Sequence, residues 1–161
     1  ETARLFSQNK EKPKRSILFL AVTGEEKGLL GADYFAHNPT VPISKIVANI
    51  NLDMPILTYD FADIIAFGAN HSDLKFPVQS AAVSMGLSLS PDPMPEQAIF
   101  TRSDHYPFVK QGVPAVYLIP GSTGTAARST ASPKSSTTRY RACRPRQVPA
   151  PHWMRIFSRW N

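Results

Sequence analysis

Residues 16–31 read SILFLAVTGEEKGLLG, and their pattern predicts how the neighbouring elements are arranged. An apolar run over residues 17–22 ends at a Thr-Gly pair, which is typical of a buried strand that runs into a loop. The loop then carries two adjacent carboxylates, Glu25 and Glu26. Two such anions are costly at the mouth of a buried strand unless a positive charge offsets them, and a divalent cation usually does so. A solvated loop that happens to contain two glutamates is the alternative that these residues leave open.

A second strand is predicted over residues 45–53, and it places Asp53 at its carboxyl end. Functional sites in open α/β sheets collect at the carboxyl ends of strands. Because Glu26 and Asp53 both follow apolar runs, we expect the two carboxylates to lie close together at one edge of the sheet.

The remaining elements alternate between helix and strand. Helices are predicted over 2–9, 29–37, 72–85 and 104–111, the last with Ser103 as its N-cap, and further strands over 63–68, 87–89 and 113–120. Such alternation implies an α/β fold with a largely parallel sheet that is covered on both faces. We therefore predict a three-layer α/β/α sandwich with a mostly parallel, mixed sheet. The aromatic and aliphatic side chains of Phe19, Leu20 and residues 117–119 are expected in its core.

The net charge of +6 is unevenly distributed along the 161 residues. Residues 1–121 hold ten basic and twelve acidic residues, whereas residues 122–161 hold eight basic residues and no acidic one. A nucleic-acid-binding protein needs its basic patch on a folded face. Here the excess of basic residues lies in a segment without a regular pattern, so we expect no nucleic-acid partner. We also expect no membrane span, because no apolar run approaches about 20 residues. The single cysteine, Cys143, excludes an internal disulfide.

The composition changes at residue 122, which predicts a boundary between a domain over 1–121 and a basic, Ser-, Pro- and Arg-rich tail over 122–161. The tail lacks sustained periodicity. One interpretation is a disordered basic tail. The other is a shifted reading frame, because GC-rich DNA read out of frame gives this bias toward Arg, Pro, Ser, Thr and Ala.

Two segments resemble one known family. Residues 23–31, Thr-Gly-Glu-Glu-Lys-Gly-Leu-Leu-Gly, resemble the Gly-Glu-Glu-x-Gly-Leu-x-Gly signature of the M28 family of zinc exopeptidases. Residues 51–54, Asn-Leu-Asp-Met, are similar to the family's Asn-x-Asp-Met motif. The resemblance covers roughly residues 15–121. It implies an incomplete zinc exopeptidase-like fold, a peptide substrate, and an exported or periplasmic location for the whole protein.

The resemblance also implies roles for individual residues. In the family, the first Glu of the signature is the general base and the second is a metal ligand, so Glu25 is expected to be catalytic and Glu26 to bind zinc. Asp53 corresponds to another zinc ligand. The family site holds two zinc ions on five protein ligands, and the chemistry is metal-assisted hydrolysis of an N-terminal peptide bond.

Three of the five family ligands have no match in this chain. A His and a bridging Asp are expected upstream of residue 1, and a late His should follow the last strand. His152 lies in a Pro-Ala-Pro-His-Trp context that does not match the family pattern. With two of five ligands, we expect the chain itself to bind zinc poorly and to be inactive.

The segment Ser103-Asp104-His105 is similar to Ser-Asp-His segments that lie beside the active site in the family. Asp104 and His105 could therefore support the metal ligands or face the substrate. The alternative is an N-capped helix start at which Asp104 interacts favourably with the helix dipole.

Two other functions remain open at this point. One is a peptidase-like domain that binds partners without catalysis, and the other is glutaminyl cyclisation, an acyl transfer on the same fold with a single zinc. Retention of both Glu25 and Glu26 argues against the binding domain, and the intact Gly-Glu-Glu-x-Gly-Leu pattern favours the peptidases over the cyclase.

Overall fold

The computed structural model describes residues 1–54 and 59–123. Within them, the α-helices are α1 Thr2–Gln8, α2 Leu30–His37, α3 Lys75–Ser84 and α4 Tyr106–Lys110. The strands are β1 Asn49–Leu52, β2 Asp63–Phe67, β3 Ser88–Ser90 and β4 Ala115–Pro120. Single turns of 3₁₀ helix occupy Glu25–Lys27, Ile43–Lys45, Ala69–His71, Pro95–Gln97 and Ile99–Thr101.

The four strands form one sheet in the order β1-β4-β2-β3. β1 pairs in parallel with β4, and β2 pairs in parallel with β3, whereas β2 and β4 are antiparallel. In the β1–β4 pair, Asn51 lies opposite Tyr117. The prediction of a mostly parallel, mixed sheet is thus confirmed.

Helices cover both faces of the sheet. On one face, Leu74 and Val78 near and within α3 pack against Val116 of β4, with Ile64 and Leu118 around them. Side chains alternate along a strand, so the neighbours of Val116 point to the opposite face. There, Tyr117 lies against His105 at the start of α4.

Helix α4 in turn packs against α2. Ala32 and Ala36 of α2 form a buried cluster with Phe108 and Val113. Small alanines allow α2 to approach closely, and Phe108 fills the space between the helices. The layers are therefore α3, the sheet, and the α2–α4 pair, which confirms the predicted α/β/α sandwich.

One predicted strand is wrong. Residues 17–22 form no strand within the part of the chain that the structure describes, and Leu18 and Phe19 are 53% and 50% exposed. Leu20 is 40% exposed, so Phe19 and Leu20 are not core residues either. The physical reason is that an extended segment becomes a strand only when a neighbouring strand satisfies its backbone groups. No described strand pairs with residues 17–22.

The predicted helix over 104–111 is shorter than expected. Helix α4 begins at Tyr106, after His105, and no side chain caps it. Ser103 is therefore not its N-cap, because the serine hydroxyl is used in contacts with Asn51 and Asp53. The other predicted helices and strands are confirmed, with ends that differ by a few residues.

The predicted domain boundary at residue 122 lies next to two hydrogen bonds that hold Thr123 at the start of β2. The Thr123 backbone N–H donates a hydrogen bond to Asp63 Oδ1 over 3.0 Å, and the Thr123 carbonyl accepts one from the Ala62 N–H over 2.9 Å. The rest of the predicted tail, residues 124–161, lies outside the described residues. No helix in the described ranges has the length and apolar character to cross a membrane.

Candidate metal and catalytic site

The loop that carries Glu25 and Glu26, residues 24–29, is called the glutamate loop below. Its glycines determine its backbone conformation. Glu25–Lys27 form one turn of 3₁₀ helix between Gly24 at φ 71° and Gly28 at φ 102°, a left-handed conformation that favours glycine. Gly31 is needed for a different reason, because a Cβ atom there would lie 2.5 Å from the Thr23 carbonyl oxygen. The spacing of glycines around the glutamates therefore follows from the backbone geometry of the loop.

Glu25 lies in a strongly acidic environment. Its pKa is raised by burial and then by the nearby negative charges of Glu26, Asp53 and Asp104, whereas Arg102 acts in the opposite direction. Residues from three separate segments thus come within electrostatic reach of one carboxylate. The expectation that Glu26 and Asp53 lie close together at one edge of the sheet stays a prediction.

Asp53 follows directly after the last residue of β1, and a hydrogen-bonded chain orients it. The Ser103 hydroxyl donates to Asp53 Oδ2 over 3.3 Å and accepts a hydrogen bond from Asn51 Nδ2 over 2.7 Å. Ser103 is only 4% exposed, so water competes weakly for this hydroxyl. One oxygen of the candidate metal ligand is therefore held by a protein donor.

Asp104, which is partly buried, and His105, which is fully buried, directly follow Ser103. Burial raises the pKa of Asp104, and the negative charge of Asp53 raises it further. Asp104 Oδ1 is buried and has no hydrogen-bond partner among the described residues. A buried carboxylate oxygen without a donor is costly, and a cation or a substrate N–H group would satisfy it.

The His105 imidazole is completely buried. It packs between Phe100 and Tyr117, with ring centroids 4.9 Å and 5.6 Å away. Burial lowers the pKa of His105 to about 4, and the Phe100 backbone opposes that shift. Neither ring nitrogen reaches a partner at normal hydrogen-bond geometry within residues 1–54 and 59–123. At neutral pH this histidine is uncharged.

A cavity of about 290 Å³ opens next to Asp53. Its lining is completed by Gln97, Ile99, Arg102, Ser103 and Tyr117. Burial raises the pKa of Tyr117, as do the charges of Asp53 and Glu25. This phenol is therefore protonated at neutral pH and has a hydroxyl to donate close to the acidic group.

Sequence reasoning missed two polar members of this site. Tyr117 was expected in the core, but it is half-buried and faces the cavity beside Asp53. The parallel register that sets it opposite Asn51 requires knowing that β1 and β4 are neighbours. Arg102 directly precedes the Ser-Asp-His segment, so its position in the sequence could have suggested it.

Backbone strain is concentrated around the same region. Among the described residues, the non-glycine residues with positive φ are Leu29, Met54 and Ala98, at 61°, 40° and 50°. Leu29 ends the glutamate loop, Met54 follows Asp53, and Ala98 lies between two residues that line the cavity. Strained conformations of this kind cluster at functional sites.

The described residues do not form a complete metal site. Nowhere in residues 1–54 and 59–123 do three or more His, Cys, Asp or Glu side chains converge closely enough to hold a metal ion. The donor set that is present consists of carboxylates, which suit zinc only as part of a shell that also contains nitrogen ligands. The residues therefore fit a partial metal site.

Comparison with known proteins identifies the family. The fold is an α/β sandwich with a mixed four-stranded sheet, and the family model of Peptidase family M28 matches residues 1–143. The chain therefore belongs to peptidase family M28. The matched range is wider than the motif-bearing range of residues 15–121 from which the resemblance was drawn.

Individual relatives match shorter parts of the chain. A "Probable zinc metalloprotease" of Pyrenophora tritici-repentis is 46% identical over 54 residues, which cover 34% of this chain and 12% of that protein. An aminopeptidase from Aneurinibacillus sp. strain AM-1 is similar over 65% of this chain and 24% of its own, with 25% identity and a TM-score of 0.46. A glutaminyl cyclase from Porphyromonas gingivalis has 22% identity and a TM-score of 0.43, over 68% of this chain and 42% of its own. The matched part of this chain thus spans only 12% of the length of the curated relative.

Proposed function

We propose that this chain forms part of the catalytic domain of a zinc-dependent exopeptidase of the aminopeptidase type, which hydrolyses N-terminal peptide bonds. The observation that carries the proposal is the environment of Glu25. A carboxylate whose pKa is raised by burial and by neighbouring acids is a better proton acceptor than an ordinary surface glutamate. The family match supplies the reaction class.

Glu26 and Asp53 are the residues that would hold metal. Both are carboxylates beside Glu25, and Asp53 is already oriented by Ser103. When bound, two zinc ions would polarise the scissile carbonyl and make a water molecule more acidic. A cation would also offset the repulsion between the acidic side chains, which is the unfavourable feature of the arrangement without metal.

Glu25 acts as the general base in this proposal. It takes a proton from the attacking water and delivers that proton to the leaving amine. Because Glu25 is adjacent to a ligand without being one, it can move a proton without disturbing metal binding. The positive charge of Arg102 opposes the rise in the Glu25 pKa.

Asp104 and Tyr117 are proposed to face the substrate. Asp104 offers a buried oxygen without a donor among the described residues, which suits an N–H or ammonium group of a peptide. The Tyr117 phenol is protonated and lines the cavity, so it can donate a hydrogen bond to a substrate carbonyl. His105 holds Tyr117 from behind through ring packing.

The chain on its own is proposed to be inactive. Only two of the five family ligands are assigned within it, and the described residues contain no cluster of three metal-binding side chains. Added zinc should therefore produce no hydrolysis of an aminoacyl p-nitroanilide by the 161-residue chain.

A chimera tests the proposed roles. Residues 15–121 would replace the equivalent segment of an active M28 aminopeptidase, so that the host supplies the missing ligands. In an active chimera, Glu25→Gln should lower kcat at least about 100-fold while zinc content stays unchanged. The control Glu96→Gln removes an exposed acid and should change neither quantity. Loss of zinc on Glu25→Gln, or full activity of that variant, would contradict the assignment.

A further inference from the structure

Asn51 and Asp53 are linked through a residue that is distant in sequence. Because they occupy alternate positions along the extended segment, they lie on the same side of it. Ser103, which precedes α4, bridges them with contacts of 2.7 Å to Asn51 Nδ2 and 3.3 Å to Asp53 Oδ2. The bridge joins the end of β1 to a wall of the 290 Å³ cavity, because Ser103 and Asp53 both line it.

The direction of the Ser103 hydroxyl depends on Asn51. A serine hydroxyl has one proton to donate and two lone pairs to accept with. Asn51 Nδ2 is a donor, so it occupies a lone pair and leaves the single proton available for Asp53. Without the amide, the hydroxyl could rotate about its Cβ–Oγ bond, and Asp53 would lose a donor of fixed orientation.

We propose that Asn51 is a positioning residue: by fixing the Ser103 hydroxyl, it holds the Asp53 carboxylate in one orientation before metal binds. This inference rests on the proposed function only in treating Asp53 as a metal ligand. Hydrogen-bonding partners that lie behind a metal ligand commonly change metal affinity by about 10–100-fold when they are removed. Asn51 acts one step further back, through Ser103.

A purely structural role for Asn51 predicts a different result. If Asn51 only tied β1 to the segment before α4, its loss would lower stability without freeing Asp53. Asn49 provides a matched control, because it lies on the same strand and the same side as Asn51. Asn49 Oδ1 is buried without a partner in the described part of the chain, and no described side-chain hydrogen bond links Asn49 to Ser103 or Asp53.

The first measurement needs no metal. Three-bond couplings in the metal-free 161-residue chain report the χ1 rotamer distribution of Asp53. We expect one dominant rotamer in the wild type and averaging over several in Asn51→Ala and in Ser103→Ala, whereas Asn49→Ala keeps the single rotamer. A single Asp53 rotamer in Asn51→Ala would overturn the inference, and so would an averaged wild type.

The second measurement uses Zn²⁺ as the probe, in competition with a chromophoric chelator. Asn51→Ala should weaken Zn²⁺ binding about 10-fold, and Asn51→Ala/Ser103→Ala should weaken it no more than Ser103→Ala alone. Additive losses would contradict action through Ser103. If Asp53→Ala leaves Zn²⁺ binding unchanged, the proposed ligand is wrong, and the rotamer measurement alone then decides the role of Asn51.

Discussion

His105 and Tyr117 lie against each other with their ring centroids 5.6 Å apart and their planes inclined by 35°. The imidazole is completely buried, whereas the phenol is half-buried and lines the cavity beside Asp53. This contact packs the residue that precedes α4 against β4. It also places an uncharged histidine where protonation would be unfavourable, which makes the fold sensitive to acid.

Stability should fall as the pH drops below about 6.5. The folded-state pKa of His105 is about 4, against 6.5 for an unperturbed histidine. Between these values the unfolded chain binds more protons than the folded chain, so the stabilising contribution is complete above pH 6.5 and is lost as the pH falls to 4. The expected loss is about 3 kcal/mol. Urea denaturation of wild type and His105→Phe between those two pH values and at neutral pH would measure it.

Other groups also titrate in this pH range and affect both proteins equally. The difference in unfolding free energy between wild type and His105→Phe therefore reports the contribution of His105 alone. His105→Phe keeps an aromatic ring between Phe100 and Tyr117. Equal pH dependence in both proteins would show that His105 is not the group responsible.

Gly68 should be intolerant of alanine. A Cβ atom there would lie 2.1 Å from a Phe100 ring carbon and 2.8 Å from the Ala115 carbonyl oxygen, at φ 85°. Gly112 is the matched control, because it also has a positive φ, of 80°, but nothing lies within 4 Å of its Cβ position among the described residues. Gly112→Ala should cost about 1 kcal/mol of unfolding free energy from backbone strain alone. Gly68→Ala should cost about 1–3 kcal/mol more, because overpacking adds to that strain. Equal losses in thermal unfolding would contradict the contacts around Gly68.

Ala98→Gly should stabilise the fold. Ala98 has φ 50°, a left-handed conformation that costs a residue with a Cβ atom about 1 kcal/mol relative to glycine. The entropy of the added glycine offsets part of the gain. We expect a net increase of a few tenths of a kcal/mol, which denaturant unfolding can detect. A destabilised Ala98→Gly would mean that the alanine methyl group makes contacts worth more than the strain.

The origin of residues 122–161 can be checked on the coding DNA. The absence of acidic residues in this segment, together with the missing late His, leads us to propose a frame change near codons 119–126. Independent clones should then reveal a frame with a His and several acids downstream. If they confirm the present sequence, the tail is genuine, and deleting it should weaken binding to anionic partners in a salt-dependent manner.

Local patterns predict most elements because they depend on nearby residues. The apolar runs alone predict β2 and β4, and the glycine at position 86 alone predicts where α3 ends. The expectation that Glu26 and Asp53 lie together at one sheet edge rests on the apolar run before each carboxylate, and it stays a prediction. The same reasoning predicts a strand over residues 17–22, and that prediction is wrong. Strand formation depends on a neighbouring strand, which the segment itself does not specify.

The cavity could not be predicted in the same way. Tyr117 and Ser103 reach Asp53 only because β4 lies next to β1 and the segment before α4 crosses over their ends. Strand order is a long-range property that one sequence does not display. The prediction that Ser103 caps a helix is wrong for the same reason, since capping can be inferred from neighbouring residues and the contact with Asp53 cannot.

The most direct test of the account is Zn²⁺ binding to the 161-residue chain and three variants, followed by ¹H–¹⁵N NMR. Zn²⁺ should shift the backbone signals of residues 24–27 and 52–54 together, with weak affinity. Glu26→Ala and Asp53→Ala should each abolish these shifts, whereas Glu25→Gln should retain them, because the base is not a ligand. Loss of the shifts in Glu25→Gln and their survival in Glu26→Ala and Asp53→Ala would contradict the proposed metal and catalytic roles.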